Sequence, residues 1–340
     1  MPDSAEWTIL PYRESDADRV VDLLAGCLGE GGVPRSTAFW RWKHESNPFG
    51  PSPALLATAG DGIVGVRAFL RWDWWSGDRR VPAVRAVDTA TRAGWRGRGV
   101  FSALTGELVE REARRGTAFV FNTPNRASGA GYLKMGWRPV GRLPVLVRPF
   151  GLRALRRFAG GGRPTADGLP PVAHLLDRRQ TAALVAAVDR QRRDGRYRTK
   201  LDDVYLRWRY ADAPGLDYRA CWRGDGADAA ALIVRIRRRR RCVEASVSEV
   251  LATGEPASVG NAARLLASLA ATTTADYAVA VASPRTPERR ALAAAGFLPL
   301  PAAGPRLFVR ALAADAGEAP LPPPDRLASW RLGVGSFEIF

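Results

Sequence analysis

One short pattern occurs twice in this chain. Phe39-Trp40-Arg41-Trp42-Lys43-His44, followed by Pro48, is matched 166 residues later by Tyr205-Leu206-Arg207-Trp208-Arg209-Tyr210, followed by Pro214. Further along, Tyr132-Leu133-Lys134-Met135-Gly136-Trp137 is matched 160 residues later by Leu292-Ala293-Ala294-Ala295-Gly296-Phe297. Two similar offsets, with the features in the same order, predict one fold used twice. The length of 340 residues fits this, since each copy then has the ~150 residues that bury an independent core.

Hydropathy patterning gives both halves an alternating α and β character. Helices are expected over Asp16–Leu28, Phe101–Arg114 and Ser128–Met135, and strands over Ala54–Ala59, Ile63–Leu70, Val81–Ala90, Thr117–Asn122 and Val140–Arg148. Gly60-Asp61-Gly62 makes the first two strands a hairpin. A second series follows, with helices over Thr181–Arg192, Ala262–Ala271 and Pro287–Ala295. Its strands are Tyr218–Trp222, Ala230–Ile236, Cys242–Leu251, Tyr277–Ala282 and Arg306–Ala311. The expected division is a first domain over 1–150, a Gly/Pro-rich linker over 151–171, a second domain over 172–318 and a tail over 319–340.

Composition removes several classes. Only two His (His44, His174) and three Cys (Cys27, Cys221, Cys242), none in C-x-x-C spacing, leave no metal centre or disulfide framework. The cysteines read as small buried residues. No apolar run reaches the ~18–20 residues of a membrane span, and the N-terminus lacks a signal-peptide layout. A cytoplasmic, metal-free monomer or homodimer is expected. The net charge is +17, from 51 Lys+Arg against 34 Asp+Glu. Such a surface favours anions, but only three of the 51 are Lys, an Arg bias that GC-rich coding sequence also produces. The run Arg237–Arg241 lies between two strands and reads as a solvated hairpin tip, so nucleic acid is not the expected partner.

The segment richest in chemistry is Ala86-Val-Asp88-Thr-Ala-Thr91-Arg-Ala-Gly94-Trp-Arg96-Gly97-Arg98-Gly99-Val100-Phe101, where a strand enters a Gly/Arg turn that opens a helix. N–H groups at such a helix start have no intrahelical partner and sit at the positive end of the dipole. They suit phosphate oxygens. Glycines let the backbone approach, and Arg96 and Arg98 add charge-assisted contacts.

Here the chain resembles the GCN5-related N-acetyltransferase (GNAT) superfamily, whose signature is R/Q-x-x-G-x-G/A. Arg96-x-x-Gly99-x-Phe101 follows it except at the last position, where Phe101 replaces a small residue, as in the tandem-domain branch. Asn125-x-x-Ser128-x-x-x-Tyr132-x-x-x-Gly136-Trp137 is similar to the family's next element, N-x-x-A-x-x-x-Y-x-x-x-G-F. The resemblance implies an α/β (α+β) fold of two tandem domains, each a mixed, mostly antiparallel sheet flanked by helices. It also implies acetyl-CoA or another acyl-CoA as donor and a small-molecule amine, such as an amino sugar or natural-product intermediate, as acceptor.

By that resemblance Arg96, Gly97, Arg98, Gly99, Val100 and Phe101 hold the pyrophosphate. The strand backbone at Thr89, Ala90 and Thr91 holds the pantetheine arm, with Asn125 and Ser128 alongside. Tyr132 protonates the leaving thiolate. The general base is not fixed by the motifs. Asp88 is one candidate, with a strand-end ion pair as its other reading. Glu338 or the carboxylate of Phe340 is another, since in some tandem-domain relatives the terminal carboxylate enters the site. Trp40, His44, Glu45 and Trp74 are candidate acceptor-side residues, though helix surface is the preferred reading of His44 and Glu45 and core cover that of Trp74. The second half has Leu292 for Tyr132 and lacks R-x-x-G after its matching strand, so it is expected to be a degenerate copy. An aminoacyl-tRNA-dependent transferase of tandem GNAT-like type and a non-catalytic coenzyme- or polyanion-binding protein remain as alternatives.

Overall fold

A computed structural model describes residues 6–28, 34–151, 168–239, 241–301, 303–312 and 320–337. The first half runs β1 (Thr8–Pro11), α1 (Ala17–Leu28), α2 (Thr37–His44), β2 (Ala54–Ala59), β3 (Gly62–Ser76), β4 (Arg79–Thr91), α3 (Val100–Arg114), β5 (Phe119–Asn122), α4 (Arg126–Lys134), β6 (Arg138–Arg142) and β7 (Val145–Pro149). The second half repeats the plan; where the first half has β1 paired to β2, its described residues show a single bridge of Pro171 to Arg219 of the equivalent strand. Helices Val172–Leu176, Thr181–Gln191 and Asp203–Leu206 lead to β8 (Tyr218–Arg223), β9 (Ala230–Arg239) and β10 (Cys242–Ala252). Helix Pro256–Thr272, β11 (Tyr277–Val281), helix Pro287–Ala294, β12 (Leu298–Pro299) and β13 (Arg306–Ala311) complete it.

Period-two patterning sorts β3 between two layers. Val66 and Ala68 pack with Trp40, Val20 and Leu24 of the α1/α2 layer, while Phe69 packs with Val100, Leu104 and Tyr132 of the α3/α4 layer. Trp72 and Trp74, further along the same strand, enter a third core shared by the two halves. The repeat seen in the sequence is a contact in space. Trp42 and Trp208 stack with ring centroids 5.1 Å apart. Each indole Nε1 donates to the other's backbone carbonyl, at 2.8 and 3.0 Å. The two copies therefore meet in pseudo-two-fold fashion through the residues that mark the repeat.

The sheets do not follow the expected chain boundaries. One has the order β1-β2-β3-β4-β5-β13-β6 and the other β12-β7-β11-β10-β9-β8. Each half thus lends a strand to the other: β13 lies between β5 and β6, and β7 between β11 and β12. The single strand expected over Val140–Arg148 is corrected here. Pro144 has no N–H to continue a ladder, and the chain leaves β6 there to enter the other sheet as β7. The expected linker falls almost wholly on 152–167, outside the described residues.

Candidate functional site

The site forms where β4 and β5 part. They pair in parallel only at Ala83–Arg85 with Phe119–Phe121. Beyond that β4 continues to Thr91, still paired to β3, while β5 ends at Asn122. The parting is built by one extra residue. Arg67 faces Thr89 and Ala68 faces Val87, leaving Asp88 as a bulge with φ +38°. Thr89, Ala90 and Thr91 consequently present a strand edge to the gap.

From the end of β4 the chain turns through Ala93–Trp95 and then through Gly97 and Gly99, with φ +78° and +79°. Only glycine holds such angles without strain. Gly99 caps α3 without a side chain, leaving the first-turn N–H groups available. Arg96 and Arg98 are exposed beside this turn. The Arg96 Nε donates to the Thr91 carbonyl at 3.3 Å, and the Arg98 guanidinium lies 4.9 Å from the Trp95 ring centroid. Val100 is buried tightly against Gly65 of β3. Phe101, the departure from the family signature, meets the Tyr132 ring edge-on at 5.7 Å.

Tyr132 is buried on α4 between Phe101 and Trp137. Its oxygen accepts a hydrogen bond from Arg67 Nη2 at 2.6 Å. Arginine has donors only, so the phenol's own O–H stays available to donate elsewhere. Asn125 and Ser128 meet as expected for a helix start: Asn125 Oδ1 caps α4 by accepting from the Ser128 N–H at 2.9 Å and from its hydroxyl at 3.0 Å.

On the other face of the sheet Asp88 meets Lys43 and His44. It forms an ion pair with the Lys43 ammonium and a 2.8 Å contact with His44 Nε2. Burial would push the Asp88 carboxyl upward, but the Lys43 charge and the His44 hydrogen bond outweigh it and hold it far below the usual carboxylate range. The structure carries the ion-pair reading of Asp88, and a carboxylate held so far down is by itself a weak base. Trp40 is buried, its ring tilted against His44 at 4.1 Å, and donates from Nε1 to the Tyr12 hydroxyl; Tyr12 donates to Glu45 at 2.5 Å. A small cavity next to this cluster is lined by Leu24, Pro34, Phe39, Trp40, Lys43 and Asp88. Trp74 does not line an open cleft. It is fully buried, 4.7 Å from Trp330 and 5.3 Å from Phe121, and covers the core.

Trp330 belongs to a docked tail. Trp330, Leu332, Val334 and Phe337 are all buried, and the Phe337 ring lies 5.7 Å from the Arg85 guanidinium of β4. Glu338 and Phe340 lie outside the described residues.

The second copy keeps the bulge and fills the gap. β10 carries an extra residue at Ser248, 160 after Asp88. Where β10 and β11 part, the tail takes the space: Gly333 bridges Ala282, and the Gly335 N–H donates to the Ser248 carbonyl at 3.1 Å. A Cβ on Gly335 would lie 2.1 Å from Glu249 Oε1, so glycine is required there. Arg331 and Arg192 pair with Glu288 at 2.9 Å each, fastening the tail. The turn before helix Pro256–Thr272 ends in Glu255, without glycine-arginine character.

Sequence reasoning missed Arg67 and Lys43. The signal for Arg67 was present, as one arginine inside the apolar run Ile63–Leu70. Of the remaining features, Cys27, Cys221 and Cys242, expected to be buried, are half-buried, and desolvation pushes the Cys221 thiol up to about 12. Arg237 and Arg239, at the end of β9, pair with Glu244 of β10. Among the described residues no helix is long and apolar enough to cross a membrane.

Comparison with known proteins agrees with this fold. Residues 8–140 match the family model described as an acetyltransferase (GNAT) domain. Among solved structures, a GCN5-related N-acetyltransferase from Anabaena variabilis shares 13% identity at a TM-score of 0.63, covering 90% of this chain and 73% of that one. A tandem GNAT protein from the clavulanic acid biosynthesis pathway shares 16% identity at a TM-score of 0.53, covering 93% and 100%. N-myristoyltransferase of Saccharomyces cerevisiae, with bound myristoyl-CoA, shares 11% identity at a TM-score of 0.56, covering 92% and 80%. No curated protein matches the sequence. The chain has the fold of a tandem GNAT-like protein. Its residues 8–140 are a domain of the GNAT acetyltransferase family.

Proposed function

We propose that the protein is an acyl-CoA-dependent N-acyltransferase, with acetyl-CoA as donor and a small-molecule amine, such as an amino sugar or a natural-product intermediate, as acceptor. The observation that carries this reading is the Tyr132 phenol, kept as a proton donor by Arg67 one strand away from the gap between β4 and β5. The residues present fit the donor. The uncapped α3 start with Gly97 and Gly99, flanked by Arg96 and Arg98, suits a pyrophosphate, and the free edge at Thr89–Thr91 suits a pantetheine amide chain.

When bound, the donor supplies a thioester whose carbonyl carbon takes the acceptor nitrogen and whose sulfur departs with the bond's electron pair. Strand N–H groups at Thr89–Thr91 would polarise the carbonyl. Tyr132 gives its phenolic proton to the sulfur. The acceptor approaches from the α1/α2 face, where the Asp88–His44 pair takes up the proton the amine sheds. Asp88, held ionised by Lys43, orients His44 in that pair.

The test is to incubate the protein with acetyl-CoA and a panel of amines, following free thiol. The reading expects turnover with at least one amine and a loss of 10²-fold or more in Tyr132→Phe, the usual scale of a general acid. Absence of coenzyme binding together with a salt-sensitive tRNA shift would replace this reading with the aminoacyl-tRNA-dependent one.

A further inference from the structure

We infer that Arg67 is the positioning residue for Tyr132: it fixes the phenol as a donor and neutralises the charge left on its oxygen after proton transfer. This inference rests on the acyltransfer reading above.

Arg67 is 1% exposed, yet its Nε and Nη1 are buried without a hydrogen-bond partner, and no carboxylate pairs with it among the described residues. Its third nitrogen, Nη2, donates to Tyr132. The guanidinium otherwise faces rings: Phe69, Phe101 and Tyr132, with centroids at 5.1, 5.4 and 5.5 Å. Aromatic faces compensate part of the desolvation of an ion, but burying an uncompensated charge is strongly unfavourable. A core assembled for stability alone would place an apolar residue here.

The second copy has done so. Ile233 stands 166 residues after Arg67 and occupies the same place beside its bulge, facing Glu249 as Arg67 faces Thr89. Leu292 stands in place of Tyr132, and both Ile233 and Leu292 are fully buried. The arginine and the tyrosine are absent together from the copy whose gap is filled by the tail.

The proton step balances with these groups. The Tyr132 O–H bond breaks, an S–H bond forms at the departing sulfur, and the electron pair stays on a phenolate oxygen already within 2.6 Å of Arg67 Nη2. The phenolate regains a proton from solvent, to which the Asp88–His44 pair passes on the one shed by the acceptor. A hydrogen bond to a charged group is worth about 1.5–3 kcal/mol, or roughly ten- to hundred-fold in rate.

The experiment is a double-mutant cycle on the full chain with Arg67→Met and Tyr132→Phe. kcat, KM for acetyl-CoA, coenzyme affinity by calorimetry and the melting temperature without ligand are measured for each. The inference expects Arg67→Met to lower kcat about ten- to hundred-fold, with KM and affinity unchanged. It also expects no further loss in the Tyr132→Phe background and a melting temperature no lower than that of the parent. Arg67→Lys restores part of kcat and keeps the test available should the methionine variant not fold. Equal losses in both backgrounds, or a lowered melting temperature with weakened coenzyme binding, would overturn the positioning role and leave the acyltransfer reading standing. Full activity in Tyr132→Phe would overturn both.

Discussion

A methyl group on Gly65 tests how the Gly97–Gly99 turn, proposed above to take a pyrophosphate, is held without touching the turn itself. An ideal Cβ there lies 2.6 Å from Val100 Cγ1 and 3.3 Å from Ala57 Cβ. Carbon atoms pack at ~3.5–4.0 Å, so the Val100 side must retreat by about 1 Å. Val100 is buried, opens α3, and as a β-branched residue has little rotamer freedom in a helix. The α3 start and the Gly97–Gly99 turn should therefore move with it. Overpacking of this kind costs about 1–3 kcal/mol of stability. Loss of one hydrogen bond to a phosphate, about 1.5–3 kcal/mol, weakens coenzyme binding roughly ten- to hundred-fold. Urea unfolding and titration calorimetry of Gly65→Ala with coenzyme A measure both. Gly106→Ala, where nothing lies within 4 Å of the new Cβ, is the control and should keep parental affinity. Parental affinity in Gly65→Ala would refute the reasoning.

Trp208→Ala should cost about 3–5 kcal/mol, because it removes a buried ring and the indole donor to the Trp42 carbonyl. Since that core is shared, urea unfolding should show the loss in one transition common to both halves rather than in the second alone. For Asp88 the sign is set by a folded-state carboxyl held below its ordinary value of about 4. Its contribution to stability is present above pH ~4 and lost as the pH falls further. Lys43→Met removes the main opposing charge, so its destabilisation should be large at pH 7 and shrink in the acid range; a pH-independent difference in urea midpoints would contradict the pairing.

Much of the site was legible because its signals are local. The turn Arg96–Gly99 needs positive φ at its glycines, and Tyr132 is tied to Asn125 and Ser128 by helix spacing within one segment. The Trp42 and Trp208 repeat was visible because both copies use the same indole for the same contact. What escaped depends on contacts distant in sequence. Nothing at Pro144 tells that the next strand will pair with β11, more than 120 residues on, so boundaries drawn at 150 and 318 leave β7 and β13 each in the half whose sheet they do not join. The ion pair of Lys43 with Asp88 and the bond from Arg67 to Tyr132 span 45 and 65 residues. Trp74 read as a possible cleft residue because its cover, Trp330 and Phe337, comes from the far end of the chain.

One fold used twice, with the proposed coenzyme site in the first copy and the second copy's gap filled by the tail, makes a countable claim. Titration calorimetry of the full chain with acetyl-CoA should give one site per chain, abolished or strongly weakened when Arg96 and Arg98 are both replaced by alanine. Two sites per chain, or one site indifferent to that double replacement, would contradict it.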